Sequence, residues 1–193
     1  MSHRVEICMI STPDGEIDVN GRSGALGGPA DQARLLALRE KAAVVLVGAG
    51  TVRAEQYRAP SRKDLSIAVV TRTCELDFSS SLFTSGAGII ATTELAPPVP
   101  VHSIRAGRTD VDLAGIIRQL PEGIVHVEGG PSLNAALLND DLVDAINLTF
   151  SPRLGGRRGP SLTTPVDAMQ RFTMTEVETR DSFVFVRYER ATN

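Results

Sequence analysis

AAVVLVGAGT, residues 42–51, is the stretch that decides the fold. Its first six residues are all apolar, which is typical of a strand buried on both faces, as in a parallel sheet covered by helices. Gly48 and Gly50 follow, so the chain can turn there and its backbone can approach a ligand closely. A second stretch of this form, IVHVEGGPS at residues 124–132, ends in two glycines and a proline suited to a first helical turn. These two units predict an α/β domain.

Strands and helices alternate along the rest of the chain. Apolar and amphipathic runs predict helices at residues 29–41, 110–120 and 131–138, with Asp110 capping the second. The predicted strands occupy residues 5–10, 42–47, 65–71, 88–92, 99–105, 124–127 and 145–150. Weak alternation over 171–178 and 182–188 predicts a closing antiparallel hairpin. The predicted fold is therefore a three-layer αβα domain with a mainly parallel mixed sheet, whose ligands bind at the carboxyl ends of the strands.

Composition excludes several classes of protein. The 193 residues carry 20 Lys and Arg against 23 Asp and Glu, a net charge of −3, so there is no basic excess for nucleic acid. No apolar run approaches the roughly 18 residues of a membrane span. The two cysteines and the absence of a signal peptide predict a cytoplasmic protein with reduced thiols, and Cys8, inside an apolar strand, is expected to be an inert core residue. The three scattered histidines argue against a metal site.

Glycine turns after two strands are the main candidates for a ligand site. GAGTV at residues 48–52 is neither a dinucleotide fingerprint, because position 53 is Arg, nor a P-loop; a plain turn is the alternative. After the second strand, Gly130 and Ser132 at a helix start suit a phosphate, and Glu128 could accept N–H groups of a polar ring. A solvated strand-end charge is the alternative for Glu128.

Other polar residues at strand ends carry weaker information. Thr71 and Arg72 suit a phosphomonoester such as the 2′-phosphate of NADP, although ordinary loop residues have the same form. Asp14 sits in a turn sequence, His126 is expected to be a packed strand residue, and the pair at 157–158 is expected to be solvated. No Ser–His–Asp order or close carboxylate pair is present. This pattern suits hydride transfer, in which a cofactor carries the chemistry.

Three longer motifs carry a family resemblance. They are LREKAAVVLVGAGTVRAE at residues 38–55, VEGGPSLNAALL at 127–138 and LVDAINLTFSPRLGG at 142–156. The chain resembles, over about residues 5–190, the reductase domain of bifunctional riboflavin-biosynthesis deaminase/reductase proteins, the 5-amino-6-(5-phosphoribosylamino)uracil reductases, which have a dihydrofolate reductase-like fold. The zinc signature of the deaminase is missing. Residues 1–193 are therefore expected to form a single reductase domain, and the family implies a homodimer.

The resemblance also implies roles for individual residues. NADPH would contact Ile10, Ser11, Gly48, Gly50, Thr51, Glu55, Thr71, Arg72, Gly129, Gly130, Pro131, Ser132 and Leu133. Within this set the turn from Gly130 onward would hold the pyrophosphate, and Arg72 would bind the 2′-phosphate. A phosphorylated pyrimidine substrate would contact Ser23, Arg39, Arg62 and Glu128, with Arg39 on the ribose phosphate and Glu128 on the ring. Glu128 and a supporting Asp14 are the expected catalytic residues.

Two departures from the family pattern bear on the substrate. Cys8 stands where many members have a lysine. The family's substrate-binding arginine is assigned here to Arg62, and Arg58 is the alternative. The expected activity is NADPH-dependent reduction of a ribosylaminopyrimidine phosphate, with hydride transfer to the ribose C1′. The alternatives are a dihydrofolate or pterin reductase on the same fold, and a non-catalytic nucleotide- or flavin-binding protein.

Overall fold

The computed structural model describes residues 2–156 and 159–191. The strands in these ranges are β1 (Arg4–Ser11), β2 (Val44–Gly48), β3 (Ser66–Val70), β4 (Gly88–Thr92), β5 (Ser103–Arg105), β6 (Ile124–Val127), β7 (Ala145–Phe150), β8 (Phe172–Arg180) and β9 (Phe183–Arg190). The helices are α1 (Pro29–Lys41), α2 (Ala49–Glu55), α3 (Ser81–Thr84), α4 (Leu113–Ile117) and α5 (Pro131–Asn139), with a short 3-10 helix at Ser23–Ala25.

The described strands form one mixed sheet in the order β5-β4-β3-β2-β6-β1-β7-β9-β8. Strands β1 to β7 are mutually parallel. The hairpin of β8 and β9 adds an antiparallel partner to β7. The hairpin turn has left-handed backbone at Asp181 and Ser182. The carboxyl ends of β1, β2, β3 and β6 therefore lie together along one edge of the sheet.

Helices cover both faces of the sheet. One face packs Val44, Leu46, Val125 and Val127 against Leu137 and other apolar side chains of α4 and α5. On the other face, apolar residues of β2 and β3 pack with residues of α2 and α3. This pattern explains the uninterrupted apolar run of β2, whose residues 44–47 are each fully buried between the two layers.

The sheet beneath α1 is polar instead of apolar. Glu6, His126, Asn147 and Thr149 on β1, β6 and β7 are all buried there. The Arg187 guanidinium donates to both Glu6 carboxylate oxygens, at 2.7 and 2.8 Å, so this buried carboxylate has its counter-charge. Alternation along the parallel strands thus places ionisable side chains in a layer under α1, next to the carboxyl edge.

The predicted fold class is confirmed, with local corrections. Helix α1 has the predicted bounds. The helix predicted at 110–120 is present but shorter, at Leu113–Ile117. Its predicted cap is wrong: Asp112 caps the helix by accepting from the Gly115 N–H at 2.8 Å, and Asp110 lies before the cap. Strand β5 begins only at Ser103, after the prolines of residues 97–100, which lack ladder donors. Helix α3 was not predicted, and no bounds were predicted for α2. The basic pair at 157–158 lies outside the described residues.

Candidate active site

A cleft of about 940 Å³ opens at the carboxyl ends of β1, β2, β3 and β6. One half lies over the ends of β2 and β3 and the start of α5, and we call it the glycine half. The other half lies beside α1 and is lined by Cys8, Ile10, Ser23, Asp31 and Glu128 among others; we call it the α1 half.

The two predicted glycine turns meet in the glycine half. The Gly48 N–H donates to the Gly129 carbonyl at 2.7 Å, which ties the turn after β2 to the turn after β6. A side chain at Gly130 would bring its Cβ to 2.9 Å from the Thr51 hydroxyl oxygen. Only glycine therefore keeps this wall open without moving Thr51.

Helix α5 presents its amino end to the same half. Gly130 is the N-cap residue and supplies no side-chain cap, while Pro131 occupies the first turn. The N–H groups of that turn thus have no side-chain partner, and the helix dipole adds partial positive charge. Arg72 also lines this half and pairs with Asp110 at 3.3 Å, both side chains being exposed. The glycine half is built to accept an anionic ligand.

A buried ionic cluster closes the α1 half from below. Arg39 donates to both Glu128 carboxylate oxygens, at 2.6 and 2.7 Å, and the Tyr57 hydroxyl donates to one of them. Burial on its own would raise the pKa of Glu128, but the hydrogen bonds from Arg39 and the charge of the adjacent His126 outweigh it and lower that pKa to about 2. Glu128 is therefore a permanent carboxylate, an acceptor of hydrogen bonds and not a proton donor.

His126 lies behind this cluster, 1% exposed, with Nε2 3.4 Å from a Glu128 oxygen. Its burial lowers the pKa, but contacts with Cys8 and Glu128 raise it to about 9. The expectation of a packed strand histidine is met. The expectation of a core thiol at Cys8 is wrong, because Cys8 is half-buried and lines the cleft; β1 turns that side chain towards α1 near the open edge of the sheet.

Most of the predicted site residues line the cleft. They are Ile10, Ser23, Gly48, Gly50, Thr51, Glu55, Thr71, Arg72, Glu128, Gly130, Pro131, Ser132 and Leu133. Glu55 accepts the Ser23 N–H at 2.6 Å, which links a residue predicted for the cofactor to one predicted for the substrate. The structure thus brings together positions that are 109 residues apart, from Ser23 to Ser132.

Five predicted residues are outside the lining: Ser11, Asp14, Arg39, Arg62 and Gly129. Asp14 accepts from the Thr12 hydroxyl and from the Gly156 N–H at 2.8 Å, so it fastens the loop after β7. The first of these hydrogen bonds lowers its pKa most. Asp14 therefore supports the loop and does not line the cleft.

Both arginines predicted to bind substrate make internal contacts. Arg62 donates to the carbonyls of Arg39, Glu40 and Ala42 at 2.7–2.8 Å, which caps the carboxyl end of α1. Arg39 is engaged by Glu128, as described above. Arg58, the alternative to Arg62, is exposed and does not line the cleft.

Two residues of the α1 half were missed from the sequence. Tyr57 reaches Glu128 because the chain leaves α2 through a left-handed residue, Gln56, which no spacing rule reveals. Asp31 lies in the first turn of α1, where an acidic residue is ordinarily explained by the helix dipole alone. In the sequence, the only feature that points to Asp31 as a site residue is its position shortly after Gly-Gly-Pro at residues 27–29.

None of the helices in the described ranges has the length and apolar character that crossing a bilayer requires. The same residues include no group of three or more His, Cys, Asp and Glu placed to hold a metal ion. A glycine-walled cleft at the carboxyl edge of a mainly parallel sheet, with helices on both faces, defines an α/β ligand-binding domain. A family model described as the RibD C-terminal domain matches residues 4–186, and the chain belongs to that family.

Individual relatives agree with this assignment. The chain is 28% identical over 165 residues to a 2,5-diamino-6-ribosylamino-4(3H)-pyrimidinone 5′-phosphate reductase of Methanothermobacter thermautotrophicus, covering 76% of each chain. A pyrimidine reductase-like protein of Corynebacterium diphtheriae superposes with a TM-score of 0.83 at 22% identity, over 98% of this chain and 92% of the other. Dihydrofolate reductase of Enterococcus faecalis superposes with a TM-score of 0.64 at 12% identity, over 98% of this chain and 97% of the other. The predicted family and dihydrofolate reductase-like fold are confirmed, and two of the relatives are named as reductases, which are oxidoreductases.

Proposed function

We propose that this protein is an NADPH-dependent reductase of a phosphorylated ribosylaminopyrimidine in riboflavin biosynthesis. The observation that carries the proposal is a single cleft with an anion-accepting glycine half and an α1 half floored by the Glu128 carboxylate. A dinucleotide and a pyrimidine have the charges and polar edges that these halves complement. The name of the archaeal relative describes a ribosylaminopyrimidinone phosphate as the compound that protein reduces.

The residues of the glycine half fit a dinucleotide phosphate. The open wall at Gly130, where a Cβ would meet Thr51, leaves room for a pyrophosphate, and the uncapped first turn of α5 offers N–H donors. Arg72 and Thr71 line the cleft where a 2′-phosphate would complete the ligand. Ile10, which lines the α1 half, would flank the nicotinamide ring where cofactor and substrate meet. When bound, the reduced nicotinamide supplies hydride to the substrate carbon.

The α1 half would orient the pyrimidine. Glu128 stays ionised and accepts ring N–H groups, while Arg39 and Tyr57 hold its two oxygens in place. In this proposal Arg39 acts through Glu128, and Asp14 acts through the loop it fastens. Ser23 would contact the substrate from the turn held by Glu55. Holding the reacting carbons within about 3–3.5 Å of each other would supply much of the rate.

The remaining proposals concern the whole protein. Residues 1–193 would act as one cytoplasmic reductase domain. A homodimer is supported by the edge strand β8, on which Met174 and Val177 are 55% and 60% exposed.

The first test is a thermal-shift titration with NADPH, NADH and FMN. We expect NADPH to stabilise the native state by about 2.7 kcal/mol at a concentration of 100 times its dissociation constant, well beyond NADH. Turnover is then compared with the ribosylaminopyrimidine phosphate and with dihydrofolate. A response to FMN alone would point to the flavin-binding alternative, and oxidation of NADPH by dihydrofolate alone would point to a pterin reductase.

A glycine substitution tests the cofactor half without harming the fold. Gly50 lies in α2 and lines the cleft, and the position that a Cβ would take there has no neighbouring atom within 4 Å. Gly50→Ala should therefore stabilise the helix by roughly 0.5–1 kcal/mol. The same methyl group would crowd a bound pyrophosphate and weaken NADPH binding by roughly tenfold or more.

The measurements are thermal unfolding and NADPH titration by fluorescence. Gly24→Ala is the matched control, because Gly24 also has open space around its Cβ position but does not line the cleft. Unchanged NADPH affinity in Gly50→Ala would remove Gly50 from the cofactor site.

A further inference from the structure

We propose that Asp31 is the proton donor of the reduction. The inference rests on the proposed function and deepens it, because hydride transfer to a C=N bond leaves a nitrogen that must gain a proton. Asp31 projects from the first turn of α1 and lines the α1 half of the cleft, the half that holds Glu128. The donor must come from this half, where the pyrimidine is proposed to lie.

The other carboxyl groups of the cleft are unsuited to this step. Glu128 is held ionised by Arg39, as its two short hydrogen bonds show. Glu55 is committed to the Ser23 N–H at 2.6 Å. Asp110 is 81% exposed and paired with Arg72.

Asp18 is also committed, since it accepts the Gly21 N–H at 3.0 Å at the solvent-exposed rim. Asp31 is the remaining carboxyl among the described residues that line the cleft.

The surroundings of Asp31 favour a carboxyl group that keeps its proton. Its carboxylate lies against Gly27, where a Cβ would come within 2.9 Å of Oδ2. Burial raises its pKa, and this outweighs a hydrogen bond with Thr149 and the charge of Arg34, both of which lower it.

The other charged and titratable neighbours are few. The Arg180 guanidinium is directed at the Ala30 carbonyl at 3.5 Å, and Arg34 lies over the Phe185 ring, 5.3 Å from its centroid. The amino end of α1 favours the ionised form, and Cys8 faces the same half from β1. A carboxyl balanced between burial and these charges can give up its proton and regain it from water through the open cleft.

A bound reduced nicotinamide would supply hydride to C1′ of the ring-opened ribosylamine imine, and the C=N π electrons would move to nitrogen. The nitrogen takes the proton from the Asp31 carboxyl, which is left as a carboxylate. The products are the ribitylamine and the oxidised nicotinamide, and water returns a proton to Asp31 before the next turnover.

The test compares Asp31→Asn with the surface control Asp64→Asn, whose side chain is 81% exposed. We expect Asp31→Asn to lose about 10²- to 10⁴-fold in kcat, the range of general acid catalysis, with NADPH affinity unchanged. In the unsubstituted protein kcat should fall as pH rises through the pKa of Asp31, and this limb should be absent from the variant. Small carboxylic acids added to Asp31→Ala should restore part of the rate.

A second readout needs no turnover. Because the raised pKa makes the native state hold a proton that the unfolded state releases, ionisation of Asp31 costs stability as pH rises. Asp31→Asn should therefore melt above the unsubstituted protein at pH 7, by a margin that grows from pH 4 upward.

The remaining possible results separate the role of Asp31 from the proposed function. Turnover within about threefold of the unsubstituted protein, or no stability gain at pH 7, would overturn the role of Asp31 while leaving the proposed function intact. A large loss of kcat with the pH limb retained would also overturn proton donation, making Asp31 a positioning residue. No turnover by the unsubstituted protein would overturn the proposed function itself.

Discussion

The Glu128→Gln variant should lose roughly 10²- to 10³-fold in kcat/KM for the pyrimidine substrate. Loss of a fully buried charged acceptor typically costs 2–5 kcal/mol in binding, and tenfold corresponds to about 1.4 kcal/mol. Glutamine keeps the size of the side chain but replaces one acceptor oxygen with a donor, so a ring N–H would meet an N–H. NADPH affinity should stay near that of the unsubstituted protein, because the cofactor is proposed to occupy the other half of the cleft.

The same substitution should also weaken the fold. Arg39 donates to both oxygens of Glu128, and its side chain is only 22% exposed, so the variant leaves a largely buried guanidinium without its counter-charge. Breaking such a pair costs about 3 kcal/mol. For a domain of this size that corresponds to a Tm lower by roughly 6–12 °C.

A double substitution separates the two effects. Arg39→Met with Glu128→Gln removes both charges, so no buried guanidinium is left without its counter-charge. The double variant should regain most of the lost Tm yet remain inactive. Recovery of turnover together with Tm would mean that Glu128 holds the fold and does not bind substrate. Arg118→Met is the control for removal of an arginine charge, at an exposed ion pair outside the cleft.

The parts of the site that sequence reasoning found are continuous in the chain. A strand followed by two glycines and a helix start is a local pattern, and local patterns place Gly48, Thr51 and Gly130 correctly at one edge of the sheet. The bounds of α1 could be predicted as well, because Pro29 fixes the start of the helix. Where two strand-end motifs lie in a parallel sheet, their meeting follows from topology alone.

The parts that were missed depend on contacts between distant residues. Nothing in the sequence pairs Arg39 with Glu128 or turns Tyr57 onto the same carboxylate, since the partners are 89 and 71 positions apart. Arg39, expected on the ribose phosphate, and Arg62, expected on the substrate, each have internal acceptors that only the folded chain presents. Their contacts with substrate stay predictions. Cys8 was assigned to the core because its neighbours are apolar, although its face of β1 borders the polar layer under α1.

That polar layer should make stability fall steeply in acid. Glu128 and Glu6 are buried, which raises their pKa values, but their arginine partners lower both to about 2, against an ordinary 4.5. A carboxyl with a lowered native pKa contributes stability above its unfolded pKa and loses it as pH falls through the native one. Each should therefore lose on the order of 3 kcal/mol between about pH 4.5 and pH 2. The measurement is repeated in the Asp31→Asn variant, because the raised pKa of Asp31 makes its contribution to stability change with pH in the opposite direction.

His126 should contribute stability that is lost as pH rises, in contrast to the two carboxylates, whose contribution is lost as pH falls. Its native pKa of about 9 lies above the ordinary 6.5, because contacts with Cys8 and Glu128 outweigh burial. The stability it contributes is complete below pH 6.5 and is lost as pH rises through 9. Stability measured by urea unfolding should thus be highest between about pH 4.5 and 6.5, with Glu6→Gln flattening the acid limb and His126→Gln the alkaline one. The exposed His102, changed to Gln, is the control. An alkaline limb that persists in His126→Gln would show that the imidazolium is not the group that stabilises the layer under α1.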